Sequence, residues 1–428
     1  MSTSTTGVRV RLSAMMFLQF MMFAVFWQQL APYLDTFVDM SSWQKSLILS
    51  SMAIGCLASP IIGMVADRYF ASQRVLFVVN VVGGALLFLA AVLKNPTLVF
   101  VVLLLYMLCY MPTWGLTSAI AMANSPAEKF PQIRVFGSLG WFSSVIFSIA
   151  ALYLFGVKID GTTLHGMNIP LICGGVVSLV GALVALTVPN TPPPAKGEPF
   201  SVVDALGLRS ITLMKDGAFA LFIIASLLVM IPFGMDWSYF GDFLGDKGFT
   251  LITWTTYLGR ALEIIFMLFV PLALARMGVK WAMSVGLVAL VARYAAYWGS
   301  DVLDQTWIMY MGILVHGLIY GFFFVGGQVY INKKAPKEIR AQAQGFIFLV
   351  TFGVGLILAN FLNGKLIEAL KVETTVNGVV QKSWGSIWLV MAILSVAVLV
   401  GFVLFFWDKA AEKKGGEAEP GEGLATAE

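Results

Sequence analysis

The sequence predicts an all-α integral membrane protein that crosses the bilayer twelve times. Hydrophobic residues make up 59% of the 428 residues and charged residues only 12%, whereas soluble domains carry about 25% charged residues. The mean hydropathy of +0.86 agrees, because so much apolar surface must face lipid. The apolar residues are grouped into runs of about 20, the length that crosses a hydrocarbon core of roughly 30 Å as a helix.

Twelve such runs follow one another, and each is expected to form one transmembrane helix. In chain order they are residues 14–38, 46–66, 74–93, 98–124, 134–156, 168–188, 217–241, 251–275, 280–298, 306–331, 341–363 and 384–407. Proline lies inside or near the end of several runs, which membrane helices tolerate where neighbouring helices or water satisfy the freed backbone groups.

The distribution of Lys and Arg predicts the orientation, because the cytoplasmic loops of membrane proteins are enriched in both. An even number of crossings puts both termini on one side. Of the 27 Lys and Arg residues, 18 fall on that side and seven on the other, while Arg260 and Arg293 lie within runs. We therefore expect both termini in the cytoplasm. The net charge of +4 needs no nucleic-acid partner, since this bias accounts for it.

The longest connection on the predicted cytoplasmic side, residues 189–216, divides the chain into two halves of six runs. It contains NTPPPAKGEP, whose prolines cannot continue either neighbouring helix. We expect an N-terminal six-helix lobe over residues 1–188, a C-terminal six-helix lobe over 217–407 and a disordered polar tail over 408–428. Secondary transporters use such a two-lobed plan, with the substrate site between the lobes near the midplane.

Several kinds of site are absent from the sequence. Cys56, Cys109 and Cys173 lie within runs and are odd in number, so we expect small core residues rather than disulfides or metal ligands. No phosphate-binding loop, metal cluster or nucleophile arrangement occurs, so we expect no enzyme, no cofactor and no metal. The N-terminus lacks a cleavage site behind a short apolar core, and we expect the first helix to be retained.

The loop between the second and third runs, GMVADRYFASQR from Gly63 to Arg74, resembles the signature loop of the major facilitator superfamily. In that signature, Gly-x-x-x-Asp-Arg is followed by further basic residues. Gly63 allows close packing of its helix, while Asp67 and Arg68 can pair with each other or with helix ends and so latch one conformation. The alternative is a solvated turn in which the two charges are adjacent by chance.

The eighth run holds two charges within YLGRALEIIFML. A charge at the bilayer centre costs about 3 kcal/mol on insertion scales, so such residues usually face a cavity. Arg260 and Glu263 are three residues apart and share one helix face. They form either a buried ion pair with no further role or part of the transport path. In the second case Glu263 is a candidate proton carrier, and Arg260 influences its protonation.

Four other ionisable residues within or beside runs keep more than one interpretation. Asp236 follows a Pro-Gly break in the seventh run and is either a binding group or a carboxylate at the external mouth. His316, in the middle of the tenth run, is either a packing residue or a site residue. Arg293 lies in a run that is expected to be peripheral, where a structural role is favoured. Asp35 is expected to be a solvated end residue.

Several stretches resemble the nucleoside:proton symporter family of the major facilitator superfamily. They are FLQF, YMPTWGL, FPQIRVFGSLGW, PLALARMGVK and APKEIRAQAQGFIFLVTFGVGLILANFLNGKLIE, and the resemblance extends from about residue 12 to residue 407. It implies the major facilitator fold, with twelve transmembrane helices in two six-helix lobes. Family members import nucleosides together with protons and bind them with residues of the fifth, seventh, eighth and tenth helices.

The resemblance assigns binding roles to particular residues. In the fifth helix it implies Arg134, Ser138 and Trp141, whose spacing of four and three residues keeps them on one face. Arg134 has a second interpretation as a cytoplasmic anchor. In the eighth helix the family's acidic residue corresponds to Glu263, for substrate binding and proton coupling, and the aromatic residue of the tenth helix corresponds to Tyr320.

The chain also departs from the family pattern. Arg260 stands where the family has a glutamine, one turn before the acid. The paired amides of the seventh helix fall on Met235 and Ser238, and the aspartate of the tenth helix falls on Gly321. Amides and carboxylates suit the edges of a base and the hydroxyls of a ribose. We expect the altered pocket, with Ser238 and Arg260 among its residues, to favour an acceptor-rich or anionic substrate.

These observations predict a proton-coupled importer of a nucleoside or a related polar ring metabolite that works by alternating access. The alternatives are a sugar, an amino-sugar fragment or an anionic metabolite as cargo; an exporter of apolar compounds and a non-transporting receptor are further rivals. The expected partners are the nucleoside-like substrate, protons and the lipid bilayer, without nucleic acid. We expect a monomer in a bacterial inner membrane.

Overall fold

The computed structural model describes residues 5–36, 42–154, 168–197, 208–247, 252–370, 372–376 and 379–408. Within these residues, each of the twelve apolar runs is helical, and the helices are named α1 to α12 after the runs. The first six are α1 (Thr5–Thr36), α2 (Ser42–Gly55 and Ser59–Arg68), α3 (Ser72–Val92), α4 (Pro96–Tyr110 and Pro112–Ala123), α5 (Phe130–Leu154) and α6 (Ile169–Ala185). The prediction of an all-α membrane fold is confirmed.

The second half begins with α7 (Gly217–Asp246) and continues with one helix, Ile252–Leu303, that forms both α8 and α9. Gly278 separates the two with φ 75° and ψ 175°, a conformation that only glycine adopts readily. α10 comprises Thr306–Leu314, His316–Leu318, the π-helical turns Ile319–Val325 and Gly326–Lys334. α11 comprises Arg340–Phe348, the π-helical turns Leu349–Gly355 and Leu356–Leu370, and α12 is Gly385–Phe405.

A short hairpin between α11 and α12 was not predicted. β1 (Val372–Val376) pairs with β2 (Val379–Ser383) in antiparallel register, with Val372 opposite Ser383 and Val376 opposite Val379. The segment is rich in Val and Thr, residues that favour strands. The hairpin is the only sheet within the described residues.

Each half of the chain packs mainly on itself. α1 lies against α5 and α6, and α3 lies against α4 and α6, whereas in the second half α7 packs on α11 and α12 and the Ile252–Leu303 helix packs on α10 and α12. The most extensive contacts between the halves are those of α2 with α11, α4 with α11 and α5 with α8. These contacts enclose the space between the two lobes.

The side on which Lys and Arg are concentrated is called here the basic side, and there the two halves are tightly joined. A Cβ added at Gly63 would lie 2.7 Å from the Ala341 carbonyl oxygen, and one at Gly345 would lie 2.4 Å from that of Ser59. The Asp67 carboxylate accepts from the backbone N–H of Ala341 at 3.3 Å and of Gln342 at 2.8 Å.

This last contact has a clear electrostatic reason. The first N–H groups of a helix have no partner within it and carry partial positive charge. The buried Asp67 at the end of α2 therefore caps the N-terminus of α11 in the other half. A second link on the same side is the ion pair between Lys333 and Glu128, at 2.9 Å.

Candidate substrate and proton site

A small cavity, with a volume of about 30 Å³, lies between the two halves. Both halves line it: α1, α4 and α5 from the first, and α7, α8, α10 and α11 from the second. The lining residues are Phe20, Trp114, Arg134, Gly137, Ser138, Trp141, Trp237, Arg260, Glu263, Tyr320 and Phe352. Two of the aromatic residues, Tyr320 and Phe352, project from the π-helical turns of α10 and α11. Such turns often occur at functional sites.

Six of the seven predicted binding residues line this cavity, and one lies outside its wall. Ser238 is exposed and donates a hydrogen bond to the Asn360 side-chain oxygen at 2.8 Å, which links α7 to α11. The other two departures are not part of the cavity wall either: Met235 is buried elsewhere, and a Cβ on Gly321 would face Val270 of α8 at 3.2 Å. The sequence pattern therefore placed these residues on the right helices without giving the direction of each side chain.

Arg134 joins the halves from inside the cavity. Its Nη2 donates to the Tyr320 hydroxyl at 2.5 Å, and its guanidinium carbon lies 3.9 Å from the centre of the Phe20 ring. The side chain is buried, and its Nη1 has no hydrogen-bond partner in the described structure. The cavity interpretation of Arg134 thus has structural support, and 17 Lys and Arg residues remain on the basic side.

Arg260 is held by two indole rings. Its guanidinium carbon lies 5.1 Å from the Trp141 ring centre and 4.9 Å from that of Trp237, within the range of cation–π attraction. No ion pair joins Arg260 to Glu263 among the described residues. The two residues share a helix face, as the spacing predicts, but each has partners of its own. Arg260 therefore presents a cation, supported by aromatic faces, to the cavity.

Glu263 is buried and is contacted from both halves of the protein. Ser138 of α5 donates a hydrogen bond to its Oε1, and His316 Nε2 of α10 lies 3.6 Å from its Oε2. The close approach of α10 depends on Gly317, where an added Cβ would lie 2.4 Å from the Glu263 Cα. The carboxylate is consequently fixed at the interface between the lobes, away from lipid.

Sequence reasoning missed two kinds of site residue. It could not assign the aromatic lining, because apolar periodicity does not separate a cavity-facing ring from a lipid-facing one. It also treated Asp236, Arg293 and His316 one by one, whereas the structure joins them behind Glu263. Their shared signal is that each is an ionisable residue inside an apolar run, which usually marks a pathway or a site. The side chain of Asp35, predicted to be a solvated end residue, lies outside the described residues.

The arrangement suits a polar ring compound. Aromatic faces can stack on a flat ring, and the cavity offers unpartnered donors at Arg134 Nη1 and Trp141 Nε1. Glu263 supplies one carboxylate that can accept a hydrogen bond or take up a proton. Within the described residues, no group of His, Cys, Asp and Glu is placed to hold a metal ion.

A polar cavity enclosed between two halves of a helical membrane protein defines the class of secondary transporters. Residues 6–411 match the family described as nucleoside H+ symporter, and the chain belongs to this family. It is a multi-pass membrane transporter rather than an enzyme. The resemblance inferred from the sequence motifs is confirmed.

Individual relatives agree with this assignment. The putative nucleoside transporter YegT of Escherichia coli is 32% identical over 408 residues, covering 94% of both chains. The nucleoside permease NupG of Escherichia coli is 27% identical over 422 residues, covering 94% of this chain and 96% of the relative. The crystal structure of nucleoside transporter NupG superposes with a TM-score of 0.62 at 26% identity, covering 94% of this chain and all of that one.

The major facilitator fold is shown by a more distant structure. The proton:xylose symporter XylE of the major facilitator superfamily superposes with a TM-score of 0.69 at 11% identity, covering 96% of this chain and 98% of that chain. At this identity the likeness concerns the fold alone. The prediction of the major facilitator fold is confirmed.

Proposed function

We propose that the chain imports nucleosides together with protons and that it favours bases rich in carbonyl groups. The observation that carries this proposal is the cavity that combines Glu263 with two arginines and a lining of aromatic rings. It rests further on membership of the nucleoside H+ symporter family. The aromatic rings provide stacking surfaces, the carboxylate provides an acceptor and a proton site, and the arginines provide donors.

The preference for carbonyl-rich bases follows from the balance of donors and acceptors. Arg134 and Arg260 are donors only, and the Trp141 Nε1–H is a further donor without a partner. Glu263 is the single carboxylate in the cavity wall. A base with ring carbonyls, such as uracil or xanthine, satisfies these donors. A base that presents amino groups leaves buried donors unpaired, which costs about 1–3 kcal/mol for each group.

Proton coupling acts through the contact between the lobes. Ionised Glu263 accepts a charge-assisted hydrogen bond from Ser138 of the other half, and such bonds are roughly twice as strong as neutral ones. Protonation at Glu263 removes the charge and so weakens a bond that crosses the interface. Uptake of a proton from outside then lowers the barrier to rearrangement of the two lobes, and release of the proton inside restores the contact.

The orientation and the latch belong to the same proposal. The basic side is the cytoplasmic face, as the Lys and Arg bias requires, so both termini lie in the cytoplasm of a bacterial cell whose inner membrane holds the monomer. The lobes extend over residues 1–188 and 217–407, joined by the linker 189–216.

The proposed latch consists of Gly63, Asp67 and Arg68, which close the cytoplasmic face. The cap that Asp67 places on the N-terminus of α11 supports this role. The tail predicted to be disordered lies, from residue 409 onwards, outside the described residues.

The test is uptake into proteoliposomes under an inward proton gradient. Labelled uridine and xanthosine are compared with adenosine, cytidine, sugars, amino sugars and anionic metabolites, each with and without a protonophore. We expect uridine or xanthosine to accumulate and the protonophore to abolish the accumulation. Absence of nucleoside uptake, together with transport of a sugar or an anionic metabolite, would overturn the nucleoside assignment while keeping the transporter class.

A further inference from the structure

Three polar residues extend from Glu263 through the second lobe, outside the cavity wall; His316 and Arg293 are buried and Asp236 is partly buried. His316 of α10 lies behind the Glu263 carboxylate, with 3.6 Å between Nε2 and Oε2. Arg293 of α9 lies behind His316, with 2.7 Å between Nη2 and Nδ1. Asp236 of α7 lies behind Arg293, with 3.1 Å between Oδ2 and Nη1. Together with α8, four helices of the lobe thus contribute to one row of polar side chains.

The contact with Arg293 fixes the protonation state of the imidazole. A guanidinium group has donors only, so His316 Nδ1 must act as the acceptor at 2.7 Å. The ring hydrogen is then on Nε2, on the side of Glu263. A doubly protonated ring would place two donors against each other at this distance. In this arrangement His316 is therefore neutral, and it connects an anion to a cation.

The position of Arg293 is itself determined by its surroundings. Besides the Asp236 contact, its Nε donates to the Gly312 carbonyl oxygen at 3.3 Å. The side chain is only 1% exposed, so it has no solvated alternative. Asp236 also accepts a hydrogen bond from the Tyr297 hydroxyl at 3.0 Å. The guanidinium group is consequently held between the carboxylate and the imidazole.

We propose that His316 is a positioning residue for proton coupling, a neutral bridge through which the Arg293–Asp236 pair sets the pH at which Glu263 takes up its proton. The inference rests on the proposed function in one respect, namely that Glu263 is the coupling site. The charged and titratable groups around the bridge are Arg134, Arg260, Glu263, Tyr320, Arg293, Tyr294, Asp236 and Tyr297.

The proposed role of His316 leads to two predictions, in which the pH of Glu263 protonation shifts in opposite directions. The His316 N–H stabilises ionised Glu263, so a variant without the ring will take up the proton at higher pH. Asp236 offsets the positive charge of Arg293. If Asp236 loses its negative charge, the charge of Arg293 is no longer compensated, and Glu263 is expected to take up its proton at lower pH. A hydrogen bond or a nearby charge shifts a titration by about one pH unit or more.

The experiment compares His316→Gln with His316→Ala. Glutamine retains an acceptor for Arg293 and a donor for Glu263 but cannot carry a proton. The readout is the carboxylic acid C=O band in infrared spectra of purified, lipid-reconstituted protein between pH 4 and 9, assigned by its loss in Glu263→Gln. We expect the midpoint of the Glu263 titration to be the same in His316→Gln as in the unaltered protein. In His316→Ala, this midpoint should rise by about one pH unit.

Further variants keep the test decisive if His316→Ala fails to fold. Asp236→Asn preserves side-chain size and is expected to lower the midpoint, while Ser284→Ala in α9, whose hydroxyl bonds only its own helix at Lys280, is the unchanged control. Equal midpoints in all variants would overturn the proposal, as would a His316→Gln variant that titrates like His316→Ala. Failure of nucleoside uptake with the expected infrared shifts would instead reject the proposed function and leave the bridge in place.

Discussion

Arg260 takes its position from two indole rings rather than from the glutamate one turn away. The spacing of Arg260 and Glu263 predicted a shared helix face, and both residues do line the cavity. The sequence could not reveal the tryptophans on either side, because Trp141 and Trp237 come from different halves of the chain. The cation is therefore free to meet a substrate, and its removal is expected to change selectivity more than folding.

Arg260→Gln is predicted to weaken uptake of carbonyl-rich nucleosides selectively. A hydrogen bond to a charged group contributes about 1.5–3 kcal/mol, so the KM for uridine or xanthosine should rise roughly tenfold or more, with little change for adenosine. The measurement is initial uptake at several concentrations and external pH values.

The matched control for this variant is Lys280→Gln. Lys280 also lies over tryptophan rings, at 4.6 Å from the Trp407 ring centre, but it is not part of the cavity wall. An Arg260→Gln protein with unchanged substrate range and unchanged pH dependence would contradict the role assigned to Arg260.

At the scale of the elements, the positions of the helices could be predicted from the sequence, but the irregular turns within them could not. Over the residues that the structure describes, all twelve apolar runs are helical, because burial of backbone polar groups in lipid leaves little alternative. The π-helical turns of α10 and α11 were not predicted, since a change of hydrogen-bond register leaves no mark in hydropathy. The hairpin was missed for a different reason: its two strands are only five residues each.

The contact of α2 with α11 is predicted to control the closed state of the basic side. A Cβ at Gly345 would meet the Ser59 backbone at 2.4 Å, and overpacking of this kind costs about 1–3 kcal/mol. Gly345→Ala should therefore shift the population roughly tenfold towards forms open on this side. The probe is thiol labelling of Ser118→Cys, which in the closed form is buried against Gln328, in a background without Cys56, Cys109 and Cys173.

Faster labelling of the probe is expected in the Gly345→Ala background. Gly401→Ala in α12 provides the control, because an added Cβ there meets no atom within 4 Å. Equal labelling rates in the Gly345→Ala and Gly401→Ala backgrounds would show that this close contact does not govern closure.

For the whole molecule, several polar contacts link the two lobes, and one of them is the hydrogen bond from Ser138 to Glu263. Composition and charge bias predicted the class of protein, and the resemblance supplied the family. Neither indicated which residues meet across the lobes, because the Ser138–Glu263 and Arg134–Tyr320 contacts join positions 125 and 186 residues apart. Such pairings depend on the packed arrangement of the helices. We propose that the charge of Glu263 couples this arrangement to the proton gradient.

The most direct test of this account compares uphill uptake with exchange in the Glu263→Gln variant. Glutamine fits the same space but cannot take up a proton. Proteoliposomes that contain the unaltered protein should accumulate nucleoside under an inward proton gradient, and those with Glu263→Gln should not. Nucleoside exchange across the membrane, which requires no net proton movement, should persist in both. Undiminished uphill accumulation by the Glu263→Gln protein would contradict the claim that Glu263 couples transport to protons.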